Sequence, residues 1–255
     1  AVLGAKRTVE EIRALVDAVR DLPVETPTVA LLDGSLVMLG LVGPLNQDFV
    51  IRELVEEGFA AVLEELREMA ESRPLALASY ISLPGAFEIV NALRSAVCEY
   101  GPVDPGYRCG PSGSGRAPCL PCVGGIRDRE VFAFTLRPGE RSAVFGSSSR
   151  AVTEYYRGND VHFFYVHAGE EIGRVEIPSW VASDEILLGM THALVIDQCR
   201  KGPGYPTALI EAHQQAVVTS DDRRGFVELV ESVLYNHQMP VYTSEKERSK
   251  RRRWV

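Results

Sequence analysis

Tyr205 and His213 stand eight residues apart in the stretch Gly202 to Val218, GPGYPTALIEAHQQAVV, at the mouth of a predicted helix. A phenol and an imidazole can both handle a proton, and this spacing brings them near one place. Gly202, Pro203 and Gly204 break what reads as a preceding strand, and Pro206 suits a first helical turn, where its missing N–H costs nothing. Leu209, Ile210, Ala212, Ala216 and Val217 form an apolar stripe along that helix, with His213 on its flank. On its own such a histidine is an ordinary surface or core group. A carboxylate supplies the second signal. Asp33 ends the apolar run Val29, Ala30, Leu31, Leu32 and is followed by Gly34, Ser35 and a further apolar run from Leu36 to Val42. This pattern predicts a β-hairpin with Asp33 at the bend, and an Asp-Gly turn of that kind needs no chemistry. An aspartate leaving a buried strand is also where a hard-cation site is built, because the strand fixes the ligand and such ions take oxygen donors.

The elements that must position these groups alternate. Helices are predicted over 8–21, 48–72, 85–97, 184–193, 205–218 and 222–236, with a hairpin over 28–43 and strands at 75–81, 131–136, 161–167, 173–177 and 193–197. Mixed strands and helices in this order indicate an α/β layer fold with a mixed sheet. In the first helix Thr8 is the candidate N-cap, and Ile12, Leu15, Val16 and Val19 face a core. Glu11 lies beside that stripe and Glu10 is about a hundred degrees round. Both also read as ordinary acidic partners of a first helical turn.

Several blocks together resemble the NurA nucleases: LLDGSL at 31–36, YISLPGAFEIVNALR at 80–94, PGERSAVF at 138–145, RVEIPSWVA at 174–182, DQCRKGPGYPTALIEAH at 197–213 and the closing KRRRWV. The GYP-to-AH block is the specific one, whereas DGS alone is weak. The resemblance implies an RNase H-like α/β fold and a Mn²⁺-dependent nuclease acting as a 5′-to-3′ exonuclease and single-strand endonuclease. It further implies DNA end processing with a HerA-like hexameric ATPase, and a homodimer. By the same resemblance Asp33 is an acidic metal ligand, Tyr205 the active-site tyrosine and His213 the active-site histidine. The helix glutamate is Glu11, with Glu10 the alternative. In the implied two-metal site His213 ligates the second ion or relays a proton, and Tyr205 hydrogen-bonds the scissile phosphate. Asp197 and Lys201, near the same helix mouth, are further candidates for metal and phosphate. His162, His167, His192, His237 and Glu140 read as structural.

The family pattern also contains an earlier aspartate-bearing strand, and this chain has a single DG motif. Asp33 matches the second acidic strand, so the chain is expected to begin inside the domain and to lack one metal ligand. Two functions therefore stay open: a metal-dependent deoxyribonuclease, or a catalytically impaired module that binds DNA or the ATPase.

At 255 residues and 45% hydrophobic content, one large domain with a sizeable core is expected over 1–97 and 126–240. No run of eighteen apolar residues and no signal-peptide pattern occurs, so a cytoplasmic location without a membrane span is expected. The net charge of -8 opposes nonspecific attraction to a phosphate backbone. The tail over 241–255 has the opposite sign: Lys246, Arg248, Lys250, Arg251, Arg252 and Arg253 can neutralise phosphates, and Trp254 can stack on a base or pack back on the domain. A solvated end is the plainer reading of that tail.

Residues 98–125 break the alternation, being rich in Gly, Pro and Ser and holding four of the five cysteines. Cys98, Cys109, Cys119 and Cys122 read C-x10-C-x9-C-x2-C. A structural Zn²⁺ would order a segment unable to build its own core, while a [4Fe-4S] cluster or simply reduced thiols are the alternatives. Cys199 stands apart as a small packed residue.

Overall fold

The computed structural model describes residues 2–38, 48–97, 125–156, 158–217 and 219–239. The four candidate zinc cysteines and the basic tail, including Lys250, Arg251, Arg252, Arg253 and Trp254, lie outside them.

Residues 1–210 form one compact unit around a five-stranded sheet. α1 (Val2–Arg20) leads to β1 (Thr28–Asp33), then to α2 (Asp48–Ile51), a π-helical stretch (Arg52–Phe59) and α3 (Ala60–Ala70). β2 (Leu75–Ile81), α4 (Glu88–Val97) and α5 (Asp128–Thr135) follow. β3 (Phe145–Gly146), α6 (Arg150–Tyr155), β4 (Val161–His167) and β5 (Ile172–Pro178) then complete the sheet. α7 (Ser179–Ala182), α8 (Glu185–Lys201) and α9 (Thr207–Gln215) come after it. The strand order is β1-β2-β5-β4-β3, with β1 and β2 parallel and the other pairs antiparallel. This mixed sheet flanked by helices is the α/β arrangement that an RNase H-like fold requires.

Strand alternation sends successive side chains to opposite faces and so builds two large cores, beside a smaller cluster of Phe132, Phe163, Tyr165 and Ile172. On one face Ala30, Leu32, Leu75 and Leu77 meet Val9, Ile12, Val16 and Val19 of α1 and Phe59, Leu63 and Leu66 of the long helical run. On the other Ala76, Ala78, Tyr80, Val175 and Ile177 meet Leu188, Val195, Ile196 and Cys199 of α8 and Leu209 of α9. The second unit, residues 211–255, contains the end of α9 and α10 (Ser220–Asn236). Thr219 caps α10, accepting from Asp222 N–H, and no residue of α10 is buried.

Several expectations are corrected. The described part of the expected 28–43 hairpin differs: β1 pairs with β2, and residues 34–38 are not a strand, while 39–43 lie outside the described residues. Leu36, Val37 and Met38 are buried instead, with Tyr156 Oη donating to Leu36 O and accepting from Met38 N–H. The strand expected at 131–136 is part of α5, where Phe132 stacks on Tyr165 at 4.6 Å, because a short apolar run is ambiguous until tertiary packing selects helix or strand. The strand expected at 193–197 is interior to α8. Leu188, Thr191, Val195, Ile196 and Cys199 lie on one helical face, and no proline interrupts it. Gly202 to Gly204 therefore end a helix rather than a strand. α1 begins well before Thr8, whose hydroxyl donates to Gly4 O inside the helix, so Glu10 and Glu11 are not in its first turn. On α9 Leu209 is buried whereas Ala212 is exposed, and Ala216 and Val217, exposed as well, lie beyond the end of the helix, so the expected apolar stripe is not a packed one.

Candidate active site

β1 delivers Asp33 to the end of the sheet with its side chain exposed. Gly34 then turns the chain at φ 103°, a left-handed conformation that a side chain disfavours, while its N–H donates to Tyr80 O at 3.0 Å. From the other side of the sheet comes the turn between α8 and α9. Gly204 N–H bonds to Cys199 O at 3.2 Å, and Ala208 N–H bonds to the Gln198 side chain at 2.9 Å. These bonds hold Tyr205 so that its hydroxyl donates to Asp33 Oδ1 at 2.7 Å. The Tyr205 phenol is pushed above its ordinary value, first by burial and then by its bond to Asp33 and that carboxylate's charge. It stays a neutral donor.

A second tyrosine-carboxylate pair lies beside the first. The rings of Tyr80 and Tyr205 meet edge to face at 5.4 Å, and Tyr80 Oη donates to Glu171 Oε1 at 2.9 Å. Ser82 Oγ donates to the other Glu171 oxygen at 2.7 Å. Tyr80 fits because Gly173 of β5 has no side chain: a Cβ there would lie 2.4 Å from the phenol oxygen. Burial pushes the Cys199 thiol up to about 11, which makes it the packed residue its setting suggests.

α1 approaches from the opposite face of the sheet and distinguishes the two glutamates. Glu11 feels Asp33: burial and then the Asp33 charge raise its pKa, against the opposing Arg7, whose Nε lies 3.2 Å from Glu11 Oε1. Glu10 is held on the solvent side by Lys6 and Arg13, and the hydrogen bond from Lys6 is the main cause of its lowered pKa.

Asp33 and Tyr205 are thus brought together, and Glu11 senses the Asp33 charge. His213 is exposed and belongs to the second unit. Asp197 and Lys201 pair with each other at 2.6 Å on the surface of α8, so each neutralises the other's charge. His192 bonds to Gly139 O at 3.0 Å and Glu140 accepts from Arg137 N–H at 2.8 Å, both local structural contacts.

Sequence reading missed Glu171, Tyr80 and a buried polar cluster next to the Asp33 loop. Glu176 (2% exposed) accepts from Ser35 Oγ at 2.8 Å and from Leu36 N–H at 2.9 Å. Its other oxygen accepts from Arg174 Nε at 2.9 Å. The signal was present in RVEIP, where an arginine and a glutamate two residues apart share one face of a strand whose other face is apolar.

For a metal the donor chemistry is partial. Among the described residues no three His, Cys, Asp or Glu side chains form a metal-holding group. Asp33 and Glu11 nevertheless offer hard oxygen donors, and their mutual repulsion is relieved by a bound cation. Two carboxylates suffice for ions that complete their shell with water and phosphate oxygens. Asp33 and Glu11, the second sensing the charge of the first, are the carboxylates with the chemistry for such an ion.

Comparison with known proteins gives three results. In the crystal structure of the NurA nuclease from Sulfolobus solfataricus, the aligned region covers 93% of this chain and 69% of that one at 15% identity and a TM-score of 0.48. No curated protein matches. The NurA domain, as a sequence family, matches residues 1–218, and the chain belongs to that family.

Proposed function

We propose that this chain acts as a Mn²⁺-dependent deoxyribonuclease, a 5′-to-3′ exonuclease and single-strand endonuclease in DNA end resection. The observation that carries the reading is the hydrogen bond from Tyr205 to Asp33, with Glu11 in electrostatic reach of the same carboxylate. Asp33 and Glu11 would hold the metal, with Glu10 the alternative on the same helix and His213 the candidate ligand for a second ion. A divalent ion supplies neutralisation of the charge on the phosphate and activation of water. Tyr205 orients Asp33, and its one proton is shared between that carboxylate and a phosphate oxygen. His213, if brought to the leaving oxygen, supplies the proton there.

Family membership supports DNA as the substrate, and the basic residues Lys250, Arg251, Arg252 and Arg253 give an acidic chain a place to meet phosphates. A HerA-like ATPase and a homodimer are the proposed partners, and a cytoplasmic location is proposed with them. Among the described residues no helix is long and apolar enough to cross a membrane.

The test is cleavage of DNA with Mn²⁺ before and after chelation, repeated with Asp33→Ala. Chelation should stop cutting, and Asp33→Ala should abolish it with little change in melting temperature, because an exposed carboxylate contributes charge rather than packing. Undiminished cutting without metal would sink the proposal. A second reading, a binding module that no longer cuts, rests on the single DG motif in the sequence. Retained DNA binding without cleavage in the unmutated chain would select it.

A further inference from the structure

We infer that Glu176 is a positioning residue for Asp33, acting through Ser35 and Leu36 to fix the loop that leaves β1; the inference rests on the nuclease reading above. Asp33 is exposed, and the direction of its carboxylate is set by the backbone on either side. Upstream, β1 is held by its ladder with β2. Downstream, after Gly34, the next two donors go to one oxygen of Glu176: the Ser35 hydroxyl at 2.8 Å and the Leu36 N–H at 2.9 Å. Ser35 Oγ in turn accepts from Val37 N–H at 2.9 Å, so a single hydroxyl links the loop to itself and to the sheet.

Glu176 cannot turn away from this task. Its second oxygen is occupied by Arg174 Nε, and Arg174 (5% exposed) lies over the Phe163 ring at 3.7 Å and also bonds to Glu88. An ion pair this deep is often no more stabilising than apolar side chains of the same volume, because desolvation offsets the attraction. An apolar replacement could not accept two donors from the loop beyond Asp33. The buried pair therefore has a purpose that stability alone does not supply: it keeps an acceptor facing the backbone that aims the candidate metal ligand.

Three variants test this in the full chain: Ser35→Ala, which removes one hydroxyl; Ser35→Thr, which keeps it; and Glu176→Gln. The readouts are melting temperature, hydrogen exchange at residues 34–38, Mn²⁺ affinity by calorimetry, and kcat and KM for DNA cleavage. Ser35→Ala should lower the melting temperature by only about 2–6 °C, because it removes two hydrogen bonds while leaving the apolar core in place. Its exchange at 34–38 should rise about tenfold and its Mn²⁺ affinity should fall. Its kcat should drop on the order of tenfold at unchanged KM, the scale of a misplaced catalytic group. Ser35→Thr should restore all of these, and Glu176→Gln should shift them in the same direction as Ser35→Ala. Parental exchange at 34–38 in both Ser35→Ala and Glu176→Gln overturns the inference, as does raised exchange with parental Mn²⁺ affinity and kcat. If the unmutated chain cuts no DNA, the nuclease reading fails alone, and exchange at 34–38 still decides the role of Glu176.

Discussion

Tyr205 does two things that a phenylalanine would divide. Its ring packs edge to face on Tyr80, and its hydroxyl donates to Asp33 at 2.7 Å. Tyr205→Phe should therefore keep the fold and reduce cleavage by roughly tenfold, the scale of one lost hydrogen bond at a reacting site. His213 has an exposed side chain, so His213→Ala removes little packing and should leave melting temperature unchanged. If His213 is the acid-base group, the same variant should lose at least about a hundredfold in turnover. Measuring both variants for melting temperature and cleavage rate separates the roles. A destabilised but fully active His213→Ala protein would remove histidine from the mechanism.

At the scale of elements, the buried Asp128 ties the two helices that bracket the cysteine-rich insertion. Its carboxylate accepts from Ile89 N–H at 3.2 Å and Val90 N–H at 2.9 Å at the start of α4, and from Tyr165 Oη at 2.8 Å on β4. Asp128 itself lies in the first turn of α5, so one carboxylate joins α4, α5 and the sheet. Removing it leaves three donors without an acceptor, two of them backbone. Asp128→Ala should cost about 3 kcal/mol in urea unfolding, because a buried unsatisfied donor carries its full desolvation cost. A loss below about 0.5 kcal/mol, the level of an ordinary surface substitution, would show that the clamp is replaceable.

Across the whole molecule there are two units, a sheet-centred one at 1–210 and a second at 211–255, and the proposed insertion at 98–125 falls within the sequence of the first. Cys98, Cys109, Cys119 and Cys122 are proposed to hold one structural Zn²⁺ in that insertion, with iron-sulfur as the alternative. Elemental analysis should find about one zinc per chain, the stoichiometry of a four-thiolate site, and chelation should make residues 98–125 more sensitive to protease. Metal-free protein whose insertion stays protease-resistant would refute the proposal. The exposed Phe226, Leu229, Val230 and Val233 recur at helical spacing on α10.

What the sequence determined by itself was local. The short apolar runs of β1, β2, β4 and β5, the amphipathic α1 and the turn carrying Tyr205 were legible because each depends on neighbours a few residues away. Asp33, Tyr205 and Glu11 stand out as site candidates by their residue types in those settings and by the family's motif. Tertiary structure decided the partners. Among the described residues β1 pairs with a strand some forty residues on, and Leu36 to Met38 are buried with hydrogen bonds to Tyr156 instead of extending as a strand. Tyr205 reaches Asp33 across a separation of 172 residues and Ser35 reaches Glu176 across 141, distances over which no periodicity carries information. The choice between Glu10 and Glu11 follows the same rule: adjacent in sequence and alike in chemistry, they differ because the helix turns one toward the charge of Asp33 and the other toward Lys6 and Arg13.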